Sequence, residues 1–567
     1  MLSAEAAPGS VLTVRPPEIV VDLELLRNYH AGQHAAGIAD CKVVTDTYLA
    51  TLRPPASVAE DEARRQEIAD RLAIGYNAGP NTTIDEHISS MWDVLRRPGN
   101  SSEIHVANDV FIPGERFTEN YYWDNLEVMR GLAVEGRWQD IRGMVHNYAD
   151  LIETFGYIPN GTRGYFLGRS QPPVFAEMVE LLAEHDGDEA LVRFLPAMQR
   201  EHDFWMAGAE DLDPGAEEPQ EYRRVVRLPD GKGGSMLVNR FYSDATGPRL
   251  ELICKDEATI ALAQQILGAD PEQVALDLRA ACESGWDFSS RWLADRRNLY
   301  SICTTSIIPV DLNCNLLKLE QTIAQALEIR AASRFGKHRR ADLEQAAAFS
   351  QRADDRAVAI QSLCWDEAAG FFFDYNFKPR QADEQPGHTG VWSLAGVYPL
   401  DMGIATPGQA QRVLGHITDK FLQPGGCMAT LEDTDQQWDG RNGWAPLQYR
   451  VARAAWRNHG STLAIEVRNR FMRACQEVFS LQRKLVEKVD VMHVGNMGDE
   501  GEYACQSGFG WTNGVYRALQ HYTFTGRASR LAKEASRQKV FGFNIGRRAG
   551  ALAARFARPI VSGAAGS

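Results

Sequence analysis

Apolar side chains recur three and four positions apart along most of the chain beyond residue 55. Residues 59–77 (AEDEARRQEIADRLAIGYN) show the pattern clearly, because their apolar groups fall on one face of a helix. The same spacing predicts further helices over residues 122–135, 137–154, 175–186, 255–267, 272–295, 312–333, 340–364, 407–421, 443–457 and 462–483. So many helices, joined by loops, predict an all-α protein.

Three parts of the chain depart from this pattern. Residues 221–243 hold two β-rich runs on either side of the turn sequence PDG, which predicts a small β-hairpin insertion. Residues 1–55 contain two proline pairs and are expected to be an irregular N-terminal extension. Residues 546–567 are rich in small residues and are expected to form a flexible tail. These boundaries leave residues 56–545 as the main domain.

The net charge and the cysteines limit which binding partners and which cellular compartment are expected. The chain has 75 acidic and 60 basic side chains, and its formal net charge is −15. A field of that sign repels phosphate backbones and anionic lipids, so we expect neither nucleic acid nor a membrane as a partner. The nine cysteines are scattered without a metal-site spacing, and the first residues lack the pattern of a secretory signal. These features predict a cytoplasmic location, and we expect a monomer.

Seven stretches mix tryptophan, tyrosine and phenylalanine with arginine, asparagine and acids. They occupy residues 113–125, 158–173, 247–251, 283–292, 308–317, 436–446 and 498–516. This mixture suits a sugar, whose apolar face packs on an aromatic ring while its hydroxyls need planar donors and acceptors. Any one of them has a structural explanation, because tryptophan is usually a core residue and an arginine beside an acid is usually a surface pair. Seven of them together favour a sugar-binding site.

Five of these stretches also resemble a known family. PGERFTENYYWD is similar to the trehalase signature P-G-G-R-F-x-E-x-Y-x-W-D, and QWDGRNGWAP is similar to Q-W-D-x-P-x-G-W-x-P. IPNGTRGYFLGRSQPP, ESGWDFSSRW and GEYACQSGFGWTNGV look like further trehalase blocks in the same order. The resemblance is to glycoside hydrolase family 37 and covers residues 60–525. It implies an (α/α)6 barrel that hydrolyses α,α-trehalose with inversion, on which the N-terminal extension would pack. We expect no metal and no organic cofactor, since proton transfer between carboxyl groups needs neither.

Inverting hydrolysis requires two carboxyl groups on opposite sides of the glycosidic bond. The resemblance implies Asp287 as the general acid, and its neighbours Trp286 and Phe288 could keep it protonated. Asp287 could instead form a structural pair near Arg291. The resemblance implies Glu502 as the general base.

The assignment of the base leaves one alternative open. Trehalases usually carry a run of glycines before this glutamate, whereas here Asp499 and Glu500 lie among them. Glu500 is therefore the second candidate for the base.

The resemblance further implies a set of substrate-binding residues, namely Arg116, Trp123, Asp124, Asn160, Arg169, Arg249, Glu251 and Trp438. Gln437 and Asp439 are expected more loosely to line the same pocket, and Trp511 is equally consistent with a pocket wall and with the core. The chain departs from the family signatures at Glu115, Arg441, Leu250, Leu252 and Ile253. These departures put the shape of the pocket, and with it the choice of sugar, in question.

Two other functions remain open from the sequence. The first is a glucosidase that acts on another α-linked disaccharide or glucoside, because a shared scaffold does not fix the substrate. The second is a sugar-binding protein without catalysis, which would keep the arginines and aromatic residues but lose a carboxyl group. Both Asp287 and Glu502 are present, which favours the enzyme.

Overall fold

The computed structural model describes residues 23–35, 41–51, 77–380 and 385–521. Most of these residues are helical, and small sheets lie between the helices. The helices are α1 (Leu23–Ala35), α2 (Cys41–Thr51), α3 (Ile84–Leu95), α4 (Asp124–Val134), α5 (Trp138–Phe155), α6 (Phe175–Asp186), α7 (Glu189–Met206), α8 (Ile253–Leu267), α9 (Pro271–Glu283), α10 (Val310–Ala332), α11 (Gly336–Cys364), α12 (Tyr398–Asp401), α13 (Pro407–His416), α14 (Ala445–Arg457), α15 (Ser461–Gln482) and α16 (Gly510–His521).

The strands are short and form small antiparallel sheets. They are β1 (Arg96–Arg97), β2 (Val110–Phe111), β3 (Gln220–Tyr222), β4 (Val225–Pro229), β5 (Ser235–Asn239), β6 (Ile307–Ile308), β7 (Trp365–Asp366), β8 (Phe371–Phe372), β9 (Tyr375–Asn376), β10 (Gly387–His388), β11 (Leu422–Gln423), β12 (Gly426–Cys427), β13 (Asn442–Trp444) and β14 (Lys488–Asp490). Strands β4 and β5 pair with Val226 opposite Val238, and β3 adds a third strand beside β4. The predicted hairpin is therefore present, extended by one strand.

Several helices begin where the sequence supplies a cap. At the start of α3, Thr83 and Glu86 form a reciprocal capping box, in which each side chain accepts a hydrogen bond from the other's backbone N–H. Helix α9 begins with Asp270 as its cap and Pro271 as its first residue, where the missing proline N–H costs nothing. Local sequence thus fixes where these helices begin.

Six helices contact one another in cyclic order. Helix α4 contacts α6, and the series continues through α10, α12, α14 and α16, which contacts α4 again. Residues 124–133 of α4 and all four residues of α12 are buried, as expected of helices surrounded by others. Helices α5, α7, α11 and α15 pack on the outside of these six. The core therefore lies within and around a closed series of inner helices.

A buried network of charges links four of the inner helices. Glu177 of α6 pairs with Arg130 of α4 at 3.1 Å and with Arg450 of α14 at 2.9 Å. Asp401 of α12 pairs with the same Arg450 at 2.6 Å. These arginines hold the pKa values of Glu177 and Asp401 well below the usual range of a carboxyl group, despite burial. Removing one partner of such a buried pair typically costs about 3–5 kcal/mol, so the network fixes how the inner helices meet.

Two structural predictions from the sequence are wrong, one on the N-terminal segment and one on the end of a helix. Residues 23–35 and 41–51 are helices α1 and α2, although the N-terminal segment was expected to be irregular. They lie between the two proline pairs that suggested an irregular chain, so the presence of those pairs in the sequence did not exclude helices from the stretch between them. We call α1 and α2 the N-terminal hairpin, because they contact each other and both pack beside α8 and the turn before it.

The second error concerns the helix predicted over 272–295. Helix α9 ends at Glu283, and the chain leaves the helical path at Gly285, whose φ is +73°. The helix-like spacing of Trp286, Phe288 and Trp292 continues past that point because this loop is itself buried in the core. Of the helix predicted over residues 59–77, only the last residue lies within the described residues, and the tail predicted over 546–567 lies outside them.

Candidate active site

A single pocket collects the side chains that the sequence predicts as a site. It holds about 730 Å³ of empty space, counting the solvent at its open mouth. All ten predicted residues line it, namely Arg116, Trp123, Asp124, Asn160, Arg169, Arg249, Glu251, Asp287, Trp438 and Glu502. They come from six separate stretches of the chain.

The pocket lies where inner helices begin. Asp124 is the first residue of α4, and Trp511 is the second residue of α16. Asn160, Arg169 and Gln171 belong to the loop that precedes α6, and Trp438 belongs to the loop before α14. Packed helices thus serve as a rigid support, and the loops at their N-terminal ends carry the polar side chains.

Asp287 lies in the loop that follows α9. Gly285 is required there, since a Cβ atom on it would lie 2.7 Å from Cε2 of Trp123 and its φ is positive. The backbone oxygen of Asp287 accepts a hydrogen bond of 2.6 Å from Nε2 of Gln437. Burial, together with the charge of Glu502, raises the pKa of Asp287 to about 7. A carboxyl group with this pKa is still half protonated at neutral pH and can donate a proton.

The structural alternative for Asp287 is wrong. Arg291 pairs with Asp311 at 2.9 Å and with Asp374 at 2.9 Å. Its guanidinium also lies 4.4 Å from the ring centroid of Trp286. Arg291 therefore anchors the loop through Asp311 and Asp374 and does not pair with Asp287, which lines the pocket.

The loop before α14 holds the Asp287 loop in place. The backbone N–H of Trp438 donates to the carbonyl of Phe288 at 3.0 Å. Asp439 accepts hydrogen bonds from the hydroxyl and the backbone N–H of Ser290, each at 2.8 Å. Of the adjacent residues Gln437, Trp438 and Asp439, only Trp438 lines the pocket. The looser expectation that Gln437 and Asp439 line it is therefore wrong. Their contacts instead position the loop that carries Asp287.

Glu502 enters the pocket from the loop before α16. Its side chain is 10% exposed, and its Oε1 lies 2.8 Å from Nη2 of Arg249. Gly501 allows this approach, because a Cβ atom there would lie 2.5 Å from Cβ of Gln437. Glu500 is exposed and does not line the pocket, so the geometry favours Glu502 over Glu500 as a pocket carboxylate.

The arginines form paired groups along the wall. Arg249 is buried between Glu502 and Asp256, whose Oδ1 lies 2.6 Å from Nη2. Arg169 pairs through Nη2 with Oε1 of Glu251 at 2.5 Å and lies 3.4 Å from Oδ1 of Asn160. In the described part of the chain, Nη1 of Arg169 and Oε2 of Glu251 are buried without a hydrogen-bond partner. A buried polar atom without a partner is costly, and a sugar hydroxyl is a partner that fits both atoms.

Aromatic rings and a protonated acid complete the wall. The rings of Trp123 and Trp438 lie 5.7 Å apart, and Trp438 stacks on Trp444 at 3.7 Å. The guanidinium of Arg116 lies 4.5 Å from the ring centroid of Tyr503. Burial raises the pKa of Asp124 to about 8, and the nearby charges of Glu487 and Asp287 act in the same direction.

Sequence reasoning missed several lining residues. Glu487 is fully buried, accepts a hydrogen bond of 2.8 Å from Tyr503, and lies 3.1 Å from Nζ of Lys488. The sequence did carry a signal for Glu487, since this acid and the basic Lys488 stand inside an apolar run. Lys42 of α2 also lines the pocket and pairs with Glu119 at 2.9 Å. It lies in the segment expected to be irregular, so no pattern pointed to it.

The departures from the family signatures mostly face away from the pocket. Leu250 and Ile253 pack against Leu26 and Leu49 of the N-terminal hairpin, which explains why they are apolar. Glu115 accepts a hydrogen bond of 2.9 Å from the backbone of Ser507, and Arg441 pairs with Asp499 at 2.6 Å. Of these departures only Leu252 lines the pocket.

Comparisons with known proteins agree on one family. The model of the Trehalase family matches residues 77–523. The periplasmic trehalases of Salmonella paratyphi B and Salmonella dublin are each 40% identical over 439 residues, which span 76% of this chain and 72% of the relative. Among solved structures, the neutral trehalase Nth1 from Saccharomyces cerevisiae shares the fold with a TM-score of 0.57 and 22% identity, covering 81% of this chain and 82% of that one.

The cytoplasmic location predicted from the sequence is wrong, because these curated relatives are named periplasmic trehalases. The cysteines suggested reduced thiols of the cytosol, yet most of them are buried in the core, where a thiol is inert in any compartment. They therefore do not report the compartment. Among the described residues, no helix is both long enough and apolar enough to cross a bilayer.

The family model covers most of the chain, and the 40% identity to the Salmonella relatives extends over most of both sequences. The chain therefore belongs to the trehalase family and is a glycoside hydrolase.

Proposed function

We propose that this enzyme hydrolyses α,α-trehalose to two glucose molecules with inversion at one anomeric carbon, with Asp287 as the general acid and Glu502 as the general base. The observation that carries the proposal is the pair of carboxyl groups at one pocket. Both line it, they come from loops far apart in the sequence, and the charge of one raises the pKa of the other. The raised pKa gives Asp287 the proton that an acid must supply.

The two carboxyl groups divide the reaction between them. Asp287 donates its proton to the glycosidic oxygen as the bond to the anomeric carbon breaks. Glu502 takes a proton from a water molecule, whose oxygen attacks the same carbon from the opposite face. One glucose leaves with its configuration kept, and the other is inverted. Inverting enzymes need their carboxyl groups roughly 6.5–9.5 Å apart to admit that water.

Further contacts support the choice of a sugar. The unpartnered Nη1 of Arg169 and Oε2 of Glu251 offer one donor and one acceptor to hydroxyl groups. Trp123 and Trp438 offer apolar faces beside them. Arg249 holds Glu502 through an ion pair and fixes the carboxylate in place, since its planar guanidinium contacts Asp256 as well. We assign substrate binding to these residues together with Arg116, Asp124 and Asn160.

We also propose that the six inner helices form an (α/α)6 barrel with the pocket at one end. The closed order of their contacts supports this, and so does the outer layer of helices. In this view residues 56–545 are the catalytic domain, on which the N-terminal hairpin packs. We further propose a monomer that needs no cofactor for the reaction.

Proton NMR of the fresh enzyme with trehalose tests the proposal. Inversion at one of two α-linked carbons gives equal initial signals of α- and β-glucose, before mutarotation changes the ratio. Only α-glucose at early times would contradict inversion. No turnover of trehalose, together with turnover of maltose, kojibiose or sucrose, would favour a different α-glucosidase, and Leu252 is the departure that could alter the pocket in that way.

A further inference from the structure

We propose that His30, Cys41 and Cys254 bind one zinc ion between the N-terminal hairpin and α8, outside the catalytic pocket. Their ligand atoms lie within 4.8 Å of one another, one from each of α1, α2 and α8. In a tetrahedral zinc site with these ligands, the sulfur and nitrogen atoms are roughly 3.5–3.8 Å apart, as follows from Zn–S and Zn–N bonds of about 2.3 and 2.0 Å. Small rotamer changes therefore bring the three atoms to a metal.

The hydrogen bonds around His30 leave it a lone pair for the metal. The hydroxyl of Thr45 has one proton, which it donates to the carbonyl oxygen of Leu250 at 2.8 Å. The contact of 2.9 Å between Nε2 of His30 and this hydroxyl must then be a bond from the imidazole N–H to Thr45. Nδ1 consequently carries the lone pair. Metal-bound histidines usually donate their other N–H in this way, which fixes the tautomer.

The ligand set selects the kind of metal. Two thiols and an imidazole are soft and intermediate ligands, which suit zinc and exclude magnesium and calcium. Zinc would displace the protons of Cys41 and Cys254, and the two thiolates would balance its charge. Glu257, one turn along α8 from Cys254, pairs with Arg27 of α1 at 2.5 Å, which adds a second link between the N-terminal hairpin and α8. Water would take the fourth position, because Cys254 is exposed.

The site has a structural consequence for the pocket. Cys41 precedes Lys42, which lines the pocket, and Cys254 follows the apolar turn on which the hairpin packs. Zinc would fasten the hairpin to α8 and hold Lys42 at the pocket wall. No Cys/His spacing reveals the site, because Cys254 lies more than 200 positions along the sequence from His30 and Cys41.

The test is a cobalt titration of the full-length, reduced, metal-free protein. We expect one equivalent of Co²⁺ to give thiolate-to-cobalt charge-transfer bands in the near ultraviolet, which added Zn²⁺ removes. Cys254→Ser and His30→Gln should each weaken binding at least tenfold, since changes around a metal site typically cost about 10–100-fold. Cys505→Ser is the matched control and should bind as the wild type does, because its thiol lies elsewhere and donates to Lys488.

X-ray absorption of the zinc-loaded wild type needs no variant and should show two sulfur ligands per zinc. A reduced wild type without thiolate bands would overturn the proposal, as would a zinc shell of nitrogen and oxygen alone. A purified protein in which Cys41 and Cys254 are cross-linked, and which binds no metal after reduction, would also overturn it and identify the pair as a disulfide. Neither result depends on trehalose turnover, so the proposed function is tested separately.

Discussion

Replacing Asp287 by asparagine should stabilise the folded protein at neutral and alkaline pH while it removes activity. Burial raises the pKa of this acid from 3.8 to about 7, so the folded chain binds the proton more tightly than the unfolded chain does. The stability of the wild type must therefore fall as pH rises from about 4 to about 7, and it stays level above that. Asparagine has the same shape and carries no charge, so the variant escapes this loss.

The size of the effect follows from the difference between the two pKa values. A difference of about 3 in pKa corresponds to roughly 4 kcal/mol, at 1.36 kcal/mol for each pH unit. The gain from Asp287→Asn should thus approach roughly 4 kcal/mol near pH 8 and vanish below about pH 4. Catalysis below about pH 7, where the wild-type acid holds its proton, should drop about 10²–10⁴-fold, because the proton donor is gone.

Melting temperatures of both proteins, measured between about pH 4 and pH 8, check the prediction. Asp93→Asn is the control, because the Asp93 side chain is 77% exposed and its replacement should give no gain that grows with pH. If Asp287→Asn melts at the same temperature as the wild type, or below it, across this range, then the pocket does not hold Asp287 protonated, and the reasoning fails.

Three further predictions concern catalysis. The kcat/KM of the wild type should fall tenfold per pH unit above about pH 7, since Asp287 then loses its proton. Glucose-release assays in which kcat/KM already begins to fall with rising pH below pH 5 would contradict this. Glu502→Gln should lower kcat by about 10²–10⁴-fold. Glu500→Gln, at an exposed position, should leave kcat near the wild-type value. The reverse result would make Glu500 the base. Arg249→Lys should lower kcat/KM by about 10²-fold, because an ammonium group cannot hold both Asp256 and Glu502. Unchanged steady-state kinetics would show that Arg249 does not contribute to the site.

Helices whose apolar spacing is regular could be read from the sequence. Residues 175–186 form α6 with the predicted bounds, and residues 137–154 form α5 with a shift of one residue. Among the helices that were missed, three have sequences that carry contrary signals. Helix α7 contains Pro196, and α16 begins among glycine, threonine and asparagine residues that suggested a loop. Helix α3 is short, and polar residues interrupt its apolar positions.

The chemistry of the site was visible in the sequence for a specific reason. Charged and aromatic residues such as those of 113–125 and 283–292 are misplaced in a plain helical core, and their order matches one family. Even so, the sequence alone did not separate Glu502 from Glu500. The structure favours Glu502 because only its side chain turns toward Arg249, after Gly501 has brought the backbone against Gln437.

Local sequence determined the helical character of the chain, the hairpin at 221–243 and the residue types of a sugar site, since each depends on neighbours within a few positions. Tertiary structure alone decided which side chains share the pocket, that Lys42 and Glu487 join them, and how far the pKa of Asp287 rises. It also placed His30 beside Cys254. The physical reason is that burial and charge–charge distances arise from segments hundreds of residues apart, and periodicity along one segment contains no record of what packs against it.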